Sequence, residues 1–287
     1  MRRRIGRTTA THLTLATFAA LFAAPIVFMI LTSLKTLPEI NNGSIFALPE
    51  SPSLAAWSKA WGSACISGTC EGISRGFINS LAIVLPSLIL CLALGGITGY
   101  ALSLRASWHA DALLKAILIG LFIPIQAAMF PMVIVVRELG LFGTRAGAVL
   151  VHVTWGLPFV SLLFRNYFLT IPRNIISAAR IDGAGFYAIL RHIVLPLSLP
   201  ICAVAAALQF TFIWNEFLLS LTFAGAGHEP VTVALNILAG AQFGVQEYNV
   251  NMAATLLAAL PTIGIYLLYG KIFLRGVTTG ITKTRHA

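Results

Sequence analysis

The sequence predicts an all-α, polytopic membrane protein with six transmembrane helices, and three observations lead there. Of 287 residues, 58% are hydrophobic and only 10% charged, where a soluble globular chain carries about 25% charged residues. Mean hydropathy is +0.89, so too little polar surface exists to coat a water-soluble particle. Six apolar stretches are long enough to cross a bilayer core of roughly 30 Å, which takes about 20 helical residues. The basic residues divide very unevenly between alternate sides of those stretches, fourteen against five. The same composition excludes a disordered chain, and four cysteines are too few for a disulfide scaffold.

The N-terminal tail, 1–12, carries Arg2, Arg3, Arg4 and Arg7. It precedes a first span over 13–33 whose apolar run covers 13–31. The alternative is a cleavable signal peptide ending near Phe22-Ala23-Ala24. A signal peptide has an apolar run of roughly 7–15 residues; this one is longer, so an uncleaved helix is expected. Residues 34–76 form a water-exposed loop with turns at Pro38, Pro49 and Pro52. Cys65 and Cys70 in it either form a small disulfide or stay as two thiols, and no Cys or His nearby in sequence completes a metal site.

A core of five further spans occupies 77–274, at about 77–104, 112–136, 146–168, 193–223 and 252–273, followed by a tail, 275–287. Runs such as 81–94 do not alternate polar with apolar residues, which excludes the strands of a membrane barrel. Gly95, Gly96 and Gly99 in the second span allow close helix packing. Cys91, Cys202 and His152 read as packing residues of the bundle. With the N-terminal arginines go Arg105, Lys115, Arg165, Arg173, Arg180, Arg191, Lys271, Arg275, Lys283 and Arg285; Lys35, Lys59, Arg75, Arg137 and Arg145 lie opposite. Loops rich in Lys and Arg stay in the cytoplasm, so both termini are expected inside. The net charge of +10 then marks loops facing anionic lipid, not nucleic acid.

The loop between the fourth and fifth spans, 170–192, is unlike the others. Thr170 can cap a helix with Pro172 in its first turn. Ile175, Ala179, Phe186, Ile189 or Leu190, and Ile193 recur at helical spacing, with Arg173, Ser177, Arg180 and Arg191 on other faces. Gly183 and Gly185 interrupt the pattern and predict a bend between two short helices. Such an elbow either lies on the lipid surface or docks a cytoplasmic partner.

Ser177-Ala-Ala-Arg-Ile-Asp-Gly183, followed by Ile193-Val-Leu-Pro196, resembles the signature loop of permease subunits of binding-protein-dependent ABC importers. In that signature Glu-Ala-Ala, three residues and Gly are followed, after about nine residues, by Ile-x-Leu-Pro. Asn79-Ser80, Trp214-Asn-Glu-Phe217 and Phe273-Leu-Arg-Gly276 resemble the carbohydrate-uptake branch, and within it the smaller, maltose-type permease. The resemblance implies a type I ABC importer permease fold. It also implies a second homologous permease, two ATP-binding subunits that use ATP and Mg, and an extracytoplasmic sugar-binding protein. The site in a bacterial inner membrane would be an ATPase-coupling loop formed by Ser177, Ala178, Ala179, Arg180, Asp182, Gly183 and Pro196. Ser177 departs from the family, which has Glu there, so a charge-assisted contact to the ATPase is missing.

Ionisable groups inside spans are costly and usually functional. Gln209, Phe212 or Ile213, and Glu216 are expected to share one helix face. With Asn215 they form a candidate sugar pathway, or else hydrogen-bond between helices; Gln126, beside Met129, is a weaker candidate. No cofactor, metal or catalytic group is expected in this chain, which lacks the G-x-x-x-x-G-K phosphate loop. A secondary transporter would show internal repeats and midplane carboxylates, and a membrane enzyme clustered His or acids. The six histidines, His12, His109, His152, His192, His228 and His286, are scattered. The substrate expected is a monosaccharide such as glucose or mannose, with an oligosaccharide, a polyol or glycerol-3-phosphate as alternatives.

Overall fold

A computed structural model describes residues 2–44, 46–104, 108–240 and 246–282, with backbone alone at 2–10, 269 and 271–282. Arg105, Lys283 and Arg285 lie outside the described residues, and of the 273–276 motif only the helical backbone is described. Every regular element among them is helical, apart from one isolated bridge between Ile66 and Thr69. In chain order the helices are α1 (Arg2–Ser33), α2 (Leu37–Asn42), α3 (Ala55–Gly62), α4 (Ser74–Leu104), α5 (Trp108–Phe122), α6 (Ile125–Glu138) and α7 (Arg145–Phe168). After them come α8 (Arg173–Ile181), α9 (Phe186–Ile189), a π-helical turn (Leu190–Val194), α10 (Leu195–Leu197), α11 (Leu199–Asn215), α12 (Leu218–Phe223), α13 (Val231–Ala239) and α14 (Tyr248–Thr282).

Four continuous helices are long and apolar enough to span a bilayer, and two bent pairs bring the number to six. The bent pairs correct the expected third and fifth spans, which are not single helices. The third breaks between α5 and α6 with a bend of 108°. Pro124 has extended backbone (ψ 134°) at the start of α6; it offers no N–H to a continuing helix, and its ring disfavours helical geometry at Ile123. The fifth bends by 76° between Leu197 and Leu199, and its helix ends at Asn215 instead of running on to Phe223.

The chain forms two compact units. One comprises 1–75 and 234–260. In it the Trp57 indole donates to Ser33 Oγ (3.1 Å) and Asn249 Nδ2 to the Lys35 carbonyl (3.0 Å). Lys59 pairs with Glu247 at 2.6 Å, but both are substantially exposed, and such pairs contribute roughly 0–1 kcal/mol. Cys65 and Cys70 are joined as a disulfide across a tight hairpin. That hairpin is fastened by Gly72 N–H to the Ala64 carbonyl (2.9 Å) and by the fully buried Ile73. Glu39 accepts from the Thr36 and Ser51 amides at 2.8 and 3.0 Å. The Thr36 amide in particular holds this carboxyl below its ordinary value of 4.5.

The second unit comprises 76–233 and 261–287. Within it α4 approaches α7 closely at two glycines. A Cβ on Gly95 would press on Val160, and one on Gly99 would lie 2.8 Å from Arg165 N, Phe164 Cβ and Ser161 O. Gly96 meets nothing within 4 Å, so close packing rests on Gly95 and Gly99, one helical turn apart. At the other end of α4, Asn79 donates to the Glu229 carbonyl (3.1 Å) and accepts from Arg145 Nη2 (2.8 Å). Ser80 Oγ accepts the Val231 amide (2.9 Å). These bonds tie the 224–231 loop to the starts of α4 and α7 through its main chain.

Candidate functional site: an elbow and a broken span

The elbow begins where α7 ends. Thr170 does not cap the next helix: its hydroxyl donates back to the Tyr167 carbonyl (2.7 Å), and Pro172 takes the cap position of α8. The helix therefore starts at Arg173, and its inward face carries Ile176 and Ala179 packed on the core. Ile175, expected inside, is 40% exposed. The expected bend is present. Gly183 N–H donates to the Arg180 carbonyl (3.1 Å) and Ala184 N–H to the Ala179 carbonyl (2.9 Å), with Gly183 at φ 83°. That is a Schellman stop, in which a left-handed residue lets the chain satisfy the last carbonyls of a helix.

Beyond the turn, Ala184, Phe186 and Ile193 return to the core. Phe186 meets the buried Tyr100 ring at 4.8 Å, and Tyr100 also packs edge-on to Phe168 at 6.0 Å. The second half of the elbow is thus seated on the ends of both α4 and α7. Tyr100 was not legible as a site residue; its one sequence signal is its place beside Gly99. Pro196 lies in α10, exposed, and the Tyr167 hydroxyl fixes that turn by donating to the Leu197 carbonyl (2.7 Å). Ser177, Ala178, Arg180, Asp182 and Gly183 line the elbow's outer side, all five exposed. With them stand two large apolar side chains, Ile181 at 86% and Tyr187 at 77% exposure.

In the broken fifth span the expected face divides. Gln209 is buried and donates to Cys91 Sγ (3.6 Å); a Cβ on Gly156 would overlap its amide. It therefore joins α11 to α4 and α7. Ile213 and Trp214 are also buried, Trp214 stacking on Phe210 at 5.5 Å. Phe212 and Asn215 are both exposed, Asn215 Nδ2 donating to the Thr211 carbonyl (2.9 Å). Glu216 is half-buried and lies in the break itself, where both of its oxygens are 2.9 Å from the Leu219 amide. Gln126 sits exposed in the first turn of α6, on a different element from Phe212 and Asn215. His152 is buried in α7 with Nε2 3.3 Å from Ser220 Oγ, a contact that sequence spacing does not reveal.

Several known proteins are similar to this chain. The xylose/arabinose import permease XacI of Haloferax volcanii is 28% identical over 95% of this chain and 93% of its own length. The osmoprotective compounds uptake permease GgtD of Synechocystis is 31% identical over 75% of this chain and 72% of its own. A chain in the crystal structure of a bacterial ABC transporter for alginate import has the same fold, with a TM-score of 0.79 at 22% identity over 94% of this chain and 96% of that one. Residues 91–277 match the family of binding-protein-dependent transport system inner membrane components, from the second span to the last helix and including the whole elbow. The chain belongs to that family, as a multi-pass transport subunit rather than an enzyme.

Proposed function

We propose that the chain is the permease subunit of an ATP-driven sugar importer, forming a pathway with a second, homologous permease. Two ATP-binding subunits hydrolyse ATP with Mg, one of them engaging the 170–192 elbow, and an extracytoplasmic binding protein delivers the sugar. Both termini are cytoplasmic, which places 34–76 and its disulfide in an oxidising compartment. The observation that carries this reading is the two-sidedness of the elbow. Ile176, Ala179 and Phe186 are committed to the bundle, while Ile181, Tyr187 and Asp182 face away from it. Ser177 replaces the acidic residue usual in the family, so docking relies on this apolar pair and on the backbone turn. Phe212 and Asn215, accessible beside the break in the fifth span, are the pathway candidates, with Gln126 a third.

Sugar as the substrate class is supported by the relatives, among them the melibiose/raffinose/stachyose permease MelC of Bacillus subtilis, 29% identical over 90% of this chain. Glucose and mannose are the first candidates, with oligosaccharides beside them. The test is to purify the chain with its partner subunits and binding protein and measure which sugars stimulate ATP hydrolysis and are accumulated by proteoliposomes. A complex stimulated only by non-sugar solutes would refute the substrate class, and vesicles importing sugar without ATP would refute the mechanism.

A further inference from the structure

We infer that Glu216 is a positioning residue whose carboxylate caps α12 and so fixes the break in the fifth span that presents Phe212 and Asn215 to the transported sugar. The inference rests on the pathway reading of those two residues and adds to it a separate role for Glu216.

A charged residue inside an apolar span invites assignment as a ligand. The geometry of this one gives its acceptor oxygens other work. Oε1 and Oε2 each lie 2.9 Å from Leu219 N, and Oε2 lies 3.1 Å from Ser220 N. These amides belong to the first turn of α12, where a helix has no internal acceptors for its N–H groups. Within a bilayer an unsatisfied amide is expensive because no water replaces the lost partner. A negative charge also suits the positive end of the helix.

The backbone agrees with the side chain. Glu216 is extended (φ −71°, ψ 127°), so the chain leaves α11 there and re-enters helix at Leu218. Its carbonyl, set free by the break, accepts from Thr232 Oγ1 (3.1 Å). One residue thereby accepts from donors of both α12 and α13. Farther along α12, Leu219 and Phe223 are buried against Ile83 and Val151. Ser220 Oγ meets His152 Nε2. The short helix is thus anchored to the bundle, and the cap decides where it begins. A helix continued through 216–217 would rotate 212 and 215 to a different setting relative to α12; the break leaves both accessible at its margin.

The experiment uses the complete transporter in lipid nanodiscs and proteoliposomes. Amide hydrogen exchange over 217–223 is compared among wild type, Glu216→Ala, Glu216→Gln and Glu216→Asp, and uptake is resolved into KM and maximal rate. Loss of a helix cap typically loosens the first turn by roughly fivefold, so exchange should rise about that much in Glu216→Ala. Uptake should fall with it. Asp, a good capping residue, should restore both, and Gln, which keeps one acceptor oxygen, should restore both in part. Asn215→Ala should raise KM without altering exchange. Unchanged exchange in Glu216→Ala would overturn the inference, and so would raised exchange with normal uptake kinetics. If the Ala variant does not reach the membrane, the Gln and Asp variants carry the same comparison, and equal exchange with lost uptake in both would overturn it. A wild-type complex that no sugar stimulates would refute the pathway reading instead, a result distinct from any outcome of the exchange comparison.

Discussion

Replacing Gly183 tests the elbow as a mechanical joint, and the structure sets the size of the effect. A Cβ at Gly183 would meet nothing within 4 Å, so bulk alone costs nothing inside this chain. The cost comes from φ, 83°, where an L-residue with a Cβ is disfavoured by about 1–2 kcal/mol, and a β-branched one more. A difference of 1–2 kcal/mol is a factor of roughly 5–30 in an equilibrium. Applied to the Schellman turn, it lowers the ratio of correctly bent to unbent elbows by that factor without touching the bundle. Gly183→Val should therefore reduce ATP-driven uptake, by at most about that factor, while leaving membrane insertion intact. ATP hydrolysis should lose its response to the loaded binding protein. Gly183→Asn, which enters the left-handed region far more readily, should retain most transport. The assay is uptake and ATPase activity of the reconstituted complex, normalised to protein in the membrane. Normal uptake by the Val variant at normal membrane levels would refute the joint. Equal damage in the Asn variant would show that contact with the partner, and not backbone strain, makes the glycine necessary.

The packing supports three more expectations. Gly99→Leu should cost at least about 1–3 kcal/mol through overpacking, because its Cβ would lie 2.8 Å from backbone and Cβ atoms of α7; Gly96→Ala, with open space, should be neutral, and thermal unfolding in detergent compares the two. Replacing Cys65 and Cys70 by Ser opens a loop of sequence separation 5. A loop that short is worth only about 2 kcal/mol of chain entropy, so limited proteolysis of 62–73 should quicken while uptake persists. Glu39 is held below its ordinary value by the Thr36 amide. Its contribution is complete above the ordinary value and is lost as pH falls through the lower folded one. Protection of the Thr36 and Ser51 amides from hydrogen exchange, relative to the intrinsic rate at each pH, should accordingly fall on acidification below about pH 4.5, and Glu39→Gln should abolish that dependence.

The elements most legible in the sequence were those that one local rule decides. Long apolar runs gave the continuous spans, since every backbone group in lipid must be paired within a helix. Gly183 gave the elbow's turn, since only one residue type enters its left-handed region freely; Gly185, at φ −77°, needs no such freedom. The inward face of α8 was displaced by one residue, Ile176 for Ile175, because Thr170 turned its hydroxyl back to Tyr167. Capping by Thr and back-bonding by Thr draw on the same oxygen, and the choice depends on where the previous helix ends.

The two broken spans show why the remainder was hidden. Pro25, Pro86, Pro131, Pro158 and Pro261 all lie inside continuous helices, yet Pro124 divides one. A proline frees one carbonyl and crowds another, and neighbouring groups decide whether the helix absorbs the loss or ends. The break at 216–217 contains neither Pro nor Gly. Its cause is a side chain that competes with the helical ladder for the next turn's amides, and Glu216 supplies the acceptor. A carboxylate in an apolar run suits a polar ligand and a helix start equally well, because both present N–H or O–H donors to it. Three-dimensional proximity separates the cases: the donors on Glu216 are the chain's own amides three and four residues ahead. On the proposed pathway reading, sugar recognition is then left to Asn215 and Phe212, an amide and an aromatic face, both able to meet an uncharged hydroxylated ring without a buried charge to desolvate.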